Sequence, residues 1–340
     1  MAGLDKAPRG GKAQDDRRGG HAMFLIPTPT QAREGLRAIK TVLTASGPLD
    51  TLRRSALDAV QRHLLRTDYD LDALPTTTPA ELAAALDDPA LRTQLTSAMA
   101  TFVLAAEPVD AGELAAVDGF AEALGVEPAA LRQLRRLHEE RWIMLRIHGA
   151  RQGLAGPAIA QLYENEGFLG LLRNFASFAG ILENRAVAER YRALESFPDG
   201  TLGKELWRFY REHGYAFPGE KHGAPEGLLT HDLSHVLGGY DTDFASEALV
   251  LAFQAGYRKL DPFAVLVFVL LQGQHGLKLT PFAEAHHGYL DQRPELVEAM
   301  VRAFARGTRM TVDLTDHWDF WAVMDRPVEE LRRRYGIAAA

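Results

Sequence analysis

The chain has 340 residues, 46% hydrophobic and 24% charged, a globular composition with ample apolar content for a large core. Its formal net charge of −7 leaves no basic excess to meet phosphates, which argues against a nucleic-acid binder. It has no cysteine, so disulfides, thiolate metal sites and cysteine nucleophiles are excluded, and any metal must be held by His, Asp or Glu.

Residues 1–21, MAGLDKAPRGGKAQDDRRGGH, are Gly-rich, mixed in charge and without the apolar core of a secretory signal. A disordered tail over 1–27 is the expectation. After Pro27 apolar residues recur at three- and four-residue spacing and β-branched alternation is scarce, which predicts an all-α fold. Helices are expected from Ser55 to Arg66, from the Asp88-Pro89 start onward, from Ala111 and from Glu127. Together they make a helical bundle over 28–145. A helical bridge follows over 146–196, in which Glu166-GFLGLLRNFASFAGILEN is apolar on most sides and reads as core, with the wall of an apolar cavity as the alternative. SFPDG, residues 196–200, is a turn that opens a last domain over 197–340. The longest apolar block, PFAVLVFVLL at 262–271, is far short of the roughly 18 residues a membrane span needs. A cytoplasmic protein is expected, with peripheral membrane contact left open.

The chemistry concentrates in HDLSHVLGGYDTDFASE, residues 231–247. A helix opened near Pro225 and stopped by Gly238-Gly239 places Leu229, Leu233, Val236 and Leu237 on one apolar stripe. His231, Asp232 and His235 fall on the other side and converge, with only the small Ala224 and Gly238 beside them. Asp243 is a good N-cap for the next helix, which brings Glu247 into its first turn. That helix is apolar nearly all round, so its carboxylate needs a partner. Folded back across the short turn, His231, Asp232, His235 and Glu247 make a four-ligand set for a divalent cation, zinc by its taste for imidazole and carboxylate. A surface hydrogen-bond cluster is the plainer alternative. The residue after the first histidine is Asp, where a zincin protease has Glu, and it suits a ligand or a hydrogen bond to a histidine better than a protease base.

The same residues carry a resemblance. His231-Asp232-L-S-His235 followed after eleven residues by Glu247 is the H-D-x-x-H-x11-E signature of the coenzyme Q biosynthesis protein four family. The lead-in from Pro198, Thr230 with VLGGYDTD around the motif, and the closing segment 317–337 also resemble that family, over roughly 40% of the chain. The resemblance implies an all-helical fold, a divalent metal usually taken as zinc, and a role in isoprenoid quinone assembly. Family members are regarded either as lipid-binding organisers of biosynthetic enzymes or as enzymes that decarboxylate and hydroxylate the quinone ring precursor. The resemblance carries His231, Asp232, His235 and Glu247 over as metal ligands, and Asp232 and Glu247 are the catalytic candidates. Leu114-AAVDGFAEALGV followed by ALRQLRRL resembles a TerB-like tellurite-resistance helical module. Such modules often carry acidic metal positions, but Asp110, Glu113 and Asp118 read here as a solvated face.

Other candidates are weaker. Glu284-A-H-His287 has the spacing of di-iron bundles but no second such pair, so His286 and His287 read as a helix-end feature. His275 reads as a helix C-terminal histidine favoured by the dipole. Arg302, Arg306 and Arg309, with Lys278 upstream, could grip a phosphate or headgroup; a solvated face is the alternative. Trp318 and Trp321 in the 316–321 segment are expected to cap the core or line a groove. Two functions remain open at this level. One is a metal-dependent enzyme acting on a prenylated aromatic ring. The other is a prenyl-lipid-binding scaffold, with a structural metal, for a complex of biosynthetic enzymes or for copies of itself.

Overall fold

The computed structural model describes residues 24–152, 155–279 and 284–338. The expected tail lies outside the described residues up to position 23. Secondary structure is helical throughout the described residues; two isolated bridges, Thr201 with Pro327 and His275 with His287, join loop segments.

The N-terminal bundle comprises α1 (Pro29–Leu43), α2 (Thr51–Val60, continued by a π-helical turn over Gln61–Leu65), α3 (Pro79–Ala85), α4 (Pro89–Leu104), α5 (Ala111–Leu124) and α6 (Ala129–His138). Local chemistry sets where these begin. Thr28-Pro29, Thr78-Pro79 and Asp88-Pro89 each pair a side-chain cap with a proline whose fixed φ suits the first turn. Thr28 and Thr78 complete capping boxes with Gln31 and Glu81. Beneath the bundle's surface, Arg53 and Glu113 form a buried ion pair at 2.5 Å, and Arg53 also reaches Asp50. Glu113 is therefore an interior residue. The other two acids of the expected solvated face are engaged as well: Asp110 caps α5, and Asp118 pairs with Arg135.

Next come α7 (Trp142–Gln152), α8 (Ala155–Phe178) and α9 (Arg185–Arg192). α8 is two helical pieces joined at Gly167, whose φ of 69° with ψ of −171° only glycine adopts freely. The core expected here is largely absent. Of the fifteen large apolar side chains that are exposed among the described residues, twelve lie between Trp142 and Leu182, led by Ile143 at 76% and Leu169 at 74%.

The remaining helices are α10 (Leu202–His213), α11 (Leu229–Gly238), α12 (Phe244–Tyr257), α13 (Pro262–Gly273), α14 (Tyr289–Gln292), α15 (Glu295–Gly307) and α16 (Val328–Tyr335). The most intimate pair is α12 with α15. Their backbones touch at glycines: a Cβ on Gly256 would lie 2.2 Å from the Phe304 carbonyl oxygen, and one on Gly307 would lie 2.1 Å from that of Phe253. α15 also packs on α2, and α13 packs on α4 and α6, so one apolar core runs from the N-terminal bundle into the C-terminal half. No described helix is long and apolar enough to cross a membrane.

Candidate metal centre

The centre is built by α10, α11 and α12. α11 is short and ends on Gly239 in the left-handed conformation (φ 73°), so the chain turns sharply. Asp243 then caps α12 by accepting from the Ala245 and Ser246 backbone N–H groups. This turn-and-cap sets Glu247 in the first turn of α12, against the histidines of α11.

His231 and His235, one helical turn apart, point their Nε2 atoms at each other across 3.2 Å. Glu247 closes the triangle, with Oε2 3.1 Å from His231 Nε2 and Oε1 3.4 Å from His235 Nε2. A tetrahedron with bonds of about 2.0–2.1 Å has edges of roughly 3.3 Å. Each Nε2 thus has the other Nε2 and one Glu247 oxygen near that edge length, and the chemistry of the three side chains fits a divalent cation of the zinc type. His235 is buried, while the Glu247 side chain is 35% exposed, so one side of the triangle faces outward.

The opposite edge of each ring settles which nitrogen carries the proton. His235 Nδ1 lies 3.3 Å from the Tyr240 carbonyl oxygen, and His231 Nδ1 lies 3.4 Å from Gln254 Oε1. Gln254 is oriented in turn. The Ser234 hydroxyl donates to the Thr230 carbonyl at 2.6 Å, which leaves Ser234 Oγ as an acceptor for Gln254 Nε2 and the Tyr257 hydroxyl. The amide must then show its oxygen to His231. Both histidines donate from Nδ1, so both Nε2 lone pairs point inward together with a carboxylate. Three electron-rich atoms at this spacing call for a proton or a cation between them.

Electrostatics agree. Burial raises a carboxylate, yet the His231 and His235 hydrogen bonds and charges override it and pull Glu247 down to about 2. Burial disfavours the charged imidazole, but the hydrogen bond and charge of Glu247 win, and His231 is raised above the ordinary histidine range.

Asp232 stands outside this triangle. Its Oδ2 accepts the Tyr210 hydroxyl at 2.5 Å. Burial pushes Asp232 upward, only partly offset by His231 and the Tyr210 hydrogen bond. Burial also raises Tyr210 well above its ordinary value, with the Asp232 charge adding to the shift. Behind Tyr210 the Phe217 ring is stacked at 5.0 Å, and Phe209 stacks on His235 at 5.5 Å, giving the centre an aromatic wall.

The other sequence candidates fall elsewhere. Arg306 is buried and donates to the Gly238 and Ala338 carbonyls at 2.7 and 2.6 Å, tying the C-terminal segment to the end of α11, while Arg302 and Arg309 are exposed. His275 donates from Nε2 to the Leu104 carbonyl at 2.8 Å, capping α4, and burial lowers its pKa. It therefore serves as a hydrogen-bond donor to the end of another helix, in place of the dipole partner of its own helix that the sequence suggests. His287 meets Glu107 at 3.0 Å and His286 lies edge-on to Phe244. Trp321 donates to Glu226 at 2.9 Å beneath the Arg190 guanidinium, and Glu226 also accepts from Tyr191.

Sequence reasoning passed over Gln254, Ser234, Tyr257 and Tyr210. Gln254 had a signal: it follows Glu247 by seven residues, two helical turns, as a polar residue within an apolar stretch. Tyr210 is one of several aromatics in a helix with a strong apolar face, and nothing in its spacing to Asp232 marks it.

No family model matches the chain, and no curated protein matches it. Among solved structures, the chain is similar to a crystal structure from Nostoc punctiforme PCC 73102, provisionally described as a ubiquinone biosynthesis protein, at 17% identity and a TM-score of 0.33, covering 72% of this chain and 98% of that one.

Proposed function

We propose that this chain is a metal-dependent protein of isoprenoid quinone assembly, acting on a prenylated aromatic ring that carries a carboxylate. The observation that carries the metal reading is the inward meeting of His231 Nε2, His235 Nε2 and the Glu247 carboxylate at 3.1–3.4 Å. The quinone assignment rests on the H-D-x-x-H-x11-E pattern and the family resemblance that goes with it.

In this reading His231, His235 and Glu247 hold the ion. When bound, it supplies a Lewis acid that polarises a ring carboxylate or hydroxyl oxygen. Three protein donors rather than four fit a working site better than a closed structural one, and the partly exposed Glu247 side chain marks the side from which a substrate oxygen would approach. Gln254 and the Tyr240 carbonyl keep both imidazoles in the ligating tautomer. In this reading Asp232, held by Tyr210, delivers a proton to the ring carbon as its bond to the carboxyl carbon breaks and carbon dioxide leaves. Solvent then restores the proton.

A second reading, a scaffold around a structural metal, is favoured by the exposed apolar face of α7 and α8, which suits a partner or a membrane surface better than water.

Metal content of the purified protein tests the first step. Wild type should hold about one equivalent and a His231→Ala/His235→Ala variant none. Turnover of prenylated hydroxybenzoates, read as released carbon dioxide, then separates the two readings. Loss of turnover in Asp232→Asn with metal retained supports the enzyme; a metal-loaded wild type that releases none supports the scaffold.

A further inference from the structure

A second site lies away from the metal centre. A cavity of about 210 Å³ sits where the N-terminal bundle meets the C-terminal half, walled by α1, α2, α4, α13 and α15. Ile39, Ala56, Ala98, Leu266 and Phe304 are typical of its lining, and none of residues 229–247 reaches it. An apolar cavity of about 150 Å³ stays dry and takes up benzene; this one is larger.

The polar side chains at its wall all have partners elsewhere. Gln31 closes the α1 capping box, Arg53 is paired with Glu113 and Asp50, Gln94 bonds the Leu25 backbone, and the Thr101 hydroxyl donates to the Ser97 carbonyl. Water would find little to bond there, and neither would a charged group. The matching ligand is a bare hydrocarbon segment, with any polar head left outside.

One side of the cavity is closed by a strap rather than a helix. Phe24 and Pro27 line it. The Leu25 N–H donates to Gln94 Oε1 at 2.9 Å, and Gln94 Nε2 returns a bond to the Leu25 carbonyl at 2.8 Å. Phe24 is edge-on to Phe304 at 5.2 Å. A single glutamine thus pins residues 24–27 along one side of the cavity, and a chain entering from that side would leave its head at the surface.

We propose that this cavity is a binding site for the aliphatic chain of a fatty acid or fatty alcohol, admitted beneath the 24–27 strap. The inference stands apart from the metal reading, and its test has no metal readout.

The test measures displacement of the apolar fluorophore N-phenyl-1-naphthylamine from the full chain by decanoate and by decanol. Saturable displacement by both is expected, with decanol at least as effective because the one cation at the wall, Arg53, is already paired with Glu113 and Asp50. Displacement by decanoate alone would place a charged contact at the site and overturn the bare-hydrocarbon assignment. In Ala98→Phe, which fills the cavity, affinity should fall at least tenfold while the melting temperature holds or rises. Binding within twofold of wild type in that variant would place the probe elsewhere, for instance on the α7–α8 face, and overturn the proposal. Should Ala98→Phe fold poorly, Ala56→Leu on the α2 wall of the same cavity takes its place: at least a tenfold loss of affinity is expected, and binding within twofold of wild type overturns the site. Gln94→Ala should speed probe uptake without changing the number bound.

Discussion

His231 and His235 meet Nε2 to Nε2 at 3.2 Å, each with its Nδ1 turned to an oxygen. Neither ring can carry its proton inward without giving up that outer bond. The centre is therefore arranged for a ligand before one arrives, and the arrangement runs back through Gln254 to Ser234 and the Thr230 carbonyl.

Gln254→Leu keeps size and burial but removes the acceptor for His231 Nδ1. Loss of such an orienting partner should weaken metal affinity about 10- to 100-fold with the fold retained, as read by chelator competition. Gln254→Glu restores an acceptor and should recover most of the loss. Equal affinity in Gln254→Leu and wild type would remove the orienting role.

The metal-free protein should show a pH window set by the His231–Glu247 pair. The Glu247 pKa is depressed from 4.5 to about 2, so its contribution is present above pH 4.5 and is lost as pH falls toward 2. The His231 pKa is raised above 6.5, so its contribution is complete below pH 6.5 and is lost as pH climbs through the raised value. The stability difference between wild type and Glu247→Gln, both stripped of metal, should therefore peak between about pH 4.5 and 6.5 and shrink on either side. A difference that stays flat from pH 3 to 9 would contradict the pairing. Adding metal should carry the advantage to higher pH, because the ion displaces the shared proton.

Arg53 and Glu113 are both buried, with side chains 9% and 5% exposed. Arg53 keeps Asp50 as a second partner, but Glu113 has only Arg53, so removing Arg53 strands the Glu113 carboxylate at a cost of about 3–5 kcal/mol. Arg53→Met should fall in that range in urea titrations, whereas Arg53→Met/Glu113→Leu should recover much of the loss. A single variant costing under about 1 kcal/mol would mean that the pair is hydrated in solution.

Gly307→Ala probes the seam between α12 and α15. Its new methyl would collide with the Phe253 carbonyl, a backbone atom that cannot swing aside. A cost at the upper end of the roughly 1–3 kcal/mol typical of overpacking is expected, together with weaker metal binding, because α12 carries both Glu247 and Gln254. Unchanged stability would show that the two helices slide apart freely.

Much of the architecture was legible because it is local. The Asp88-Pro89 start, the Gly238-Gly239 stop and the Asp243 cap each act within a few residues, and all appear where the pattern places them. His231, His235 and Glu247 were legible for the same reason, since a helical turn and a short reversal suffice to gather them. Asp232 shows the boundary of that reasoning. One residue on from His231 it swings about 100° around the helix, and its partner Tyr210 lies on another element, at a distance in sequence that no spacing rule spans. Glu113 and His275 were misread likewise: an acid on a capped helix resembles a surface residue until Arg53 is brought over it, and a histidine past a helix end resembles a dipole partner until the end of α4 arrives. α8 failed in the opposite direction. Apolar periodicity says that a face will be covered and is silent on whether the same chain does the covering.

That uncovered face on α7 and α8 makes the chain's thermal behaviour a matter of mass action. Anything that coats Ile143, Phe168, Leu169 and their neighbours in the native state, whether another copy, a detergent or a lipid bilayer, adds RT ln(1 + [L]/Kd) to the apparent stability, about 2.7 kcal/mol at a hundredfold excess over Kd. A melting temperature measured on this protein is therefore a property of the solution as much as of the sequence. It should climb with protein concentration, or with added amphiphile, while the metal content stays fixed.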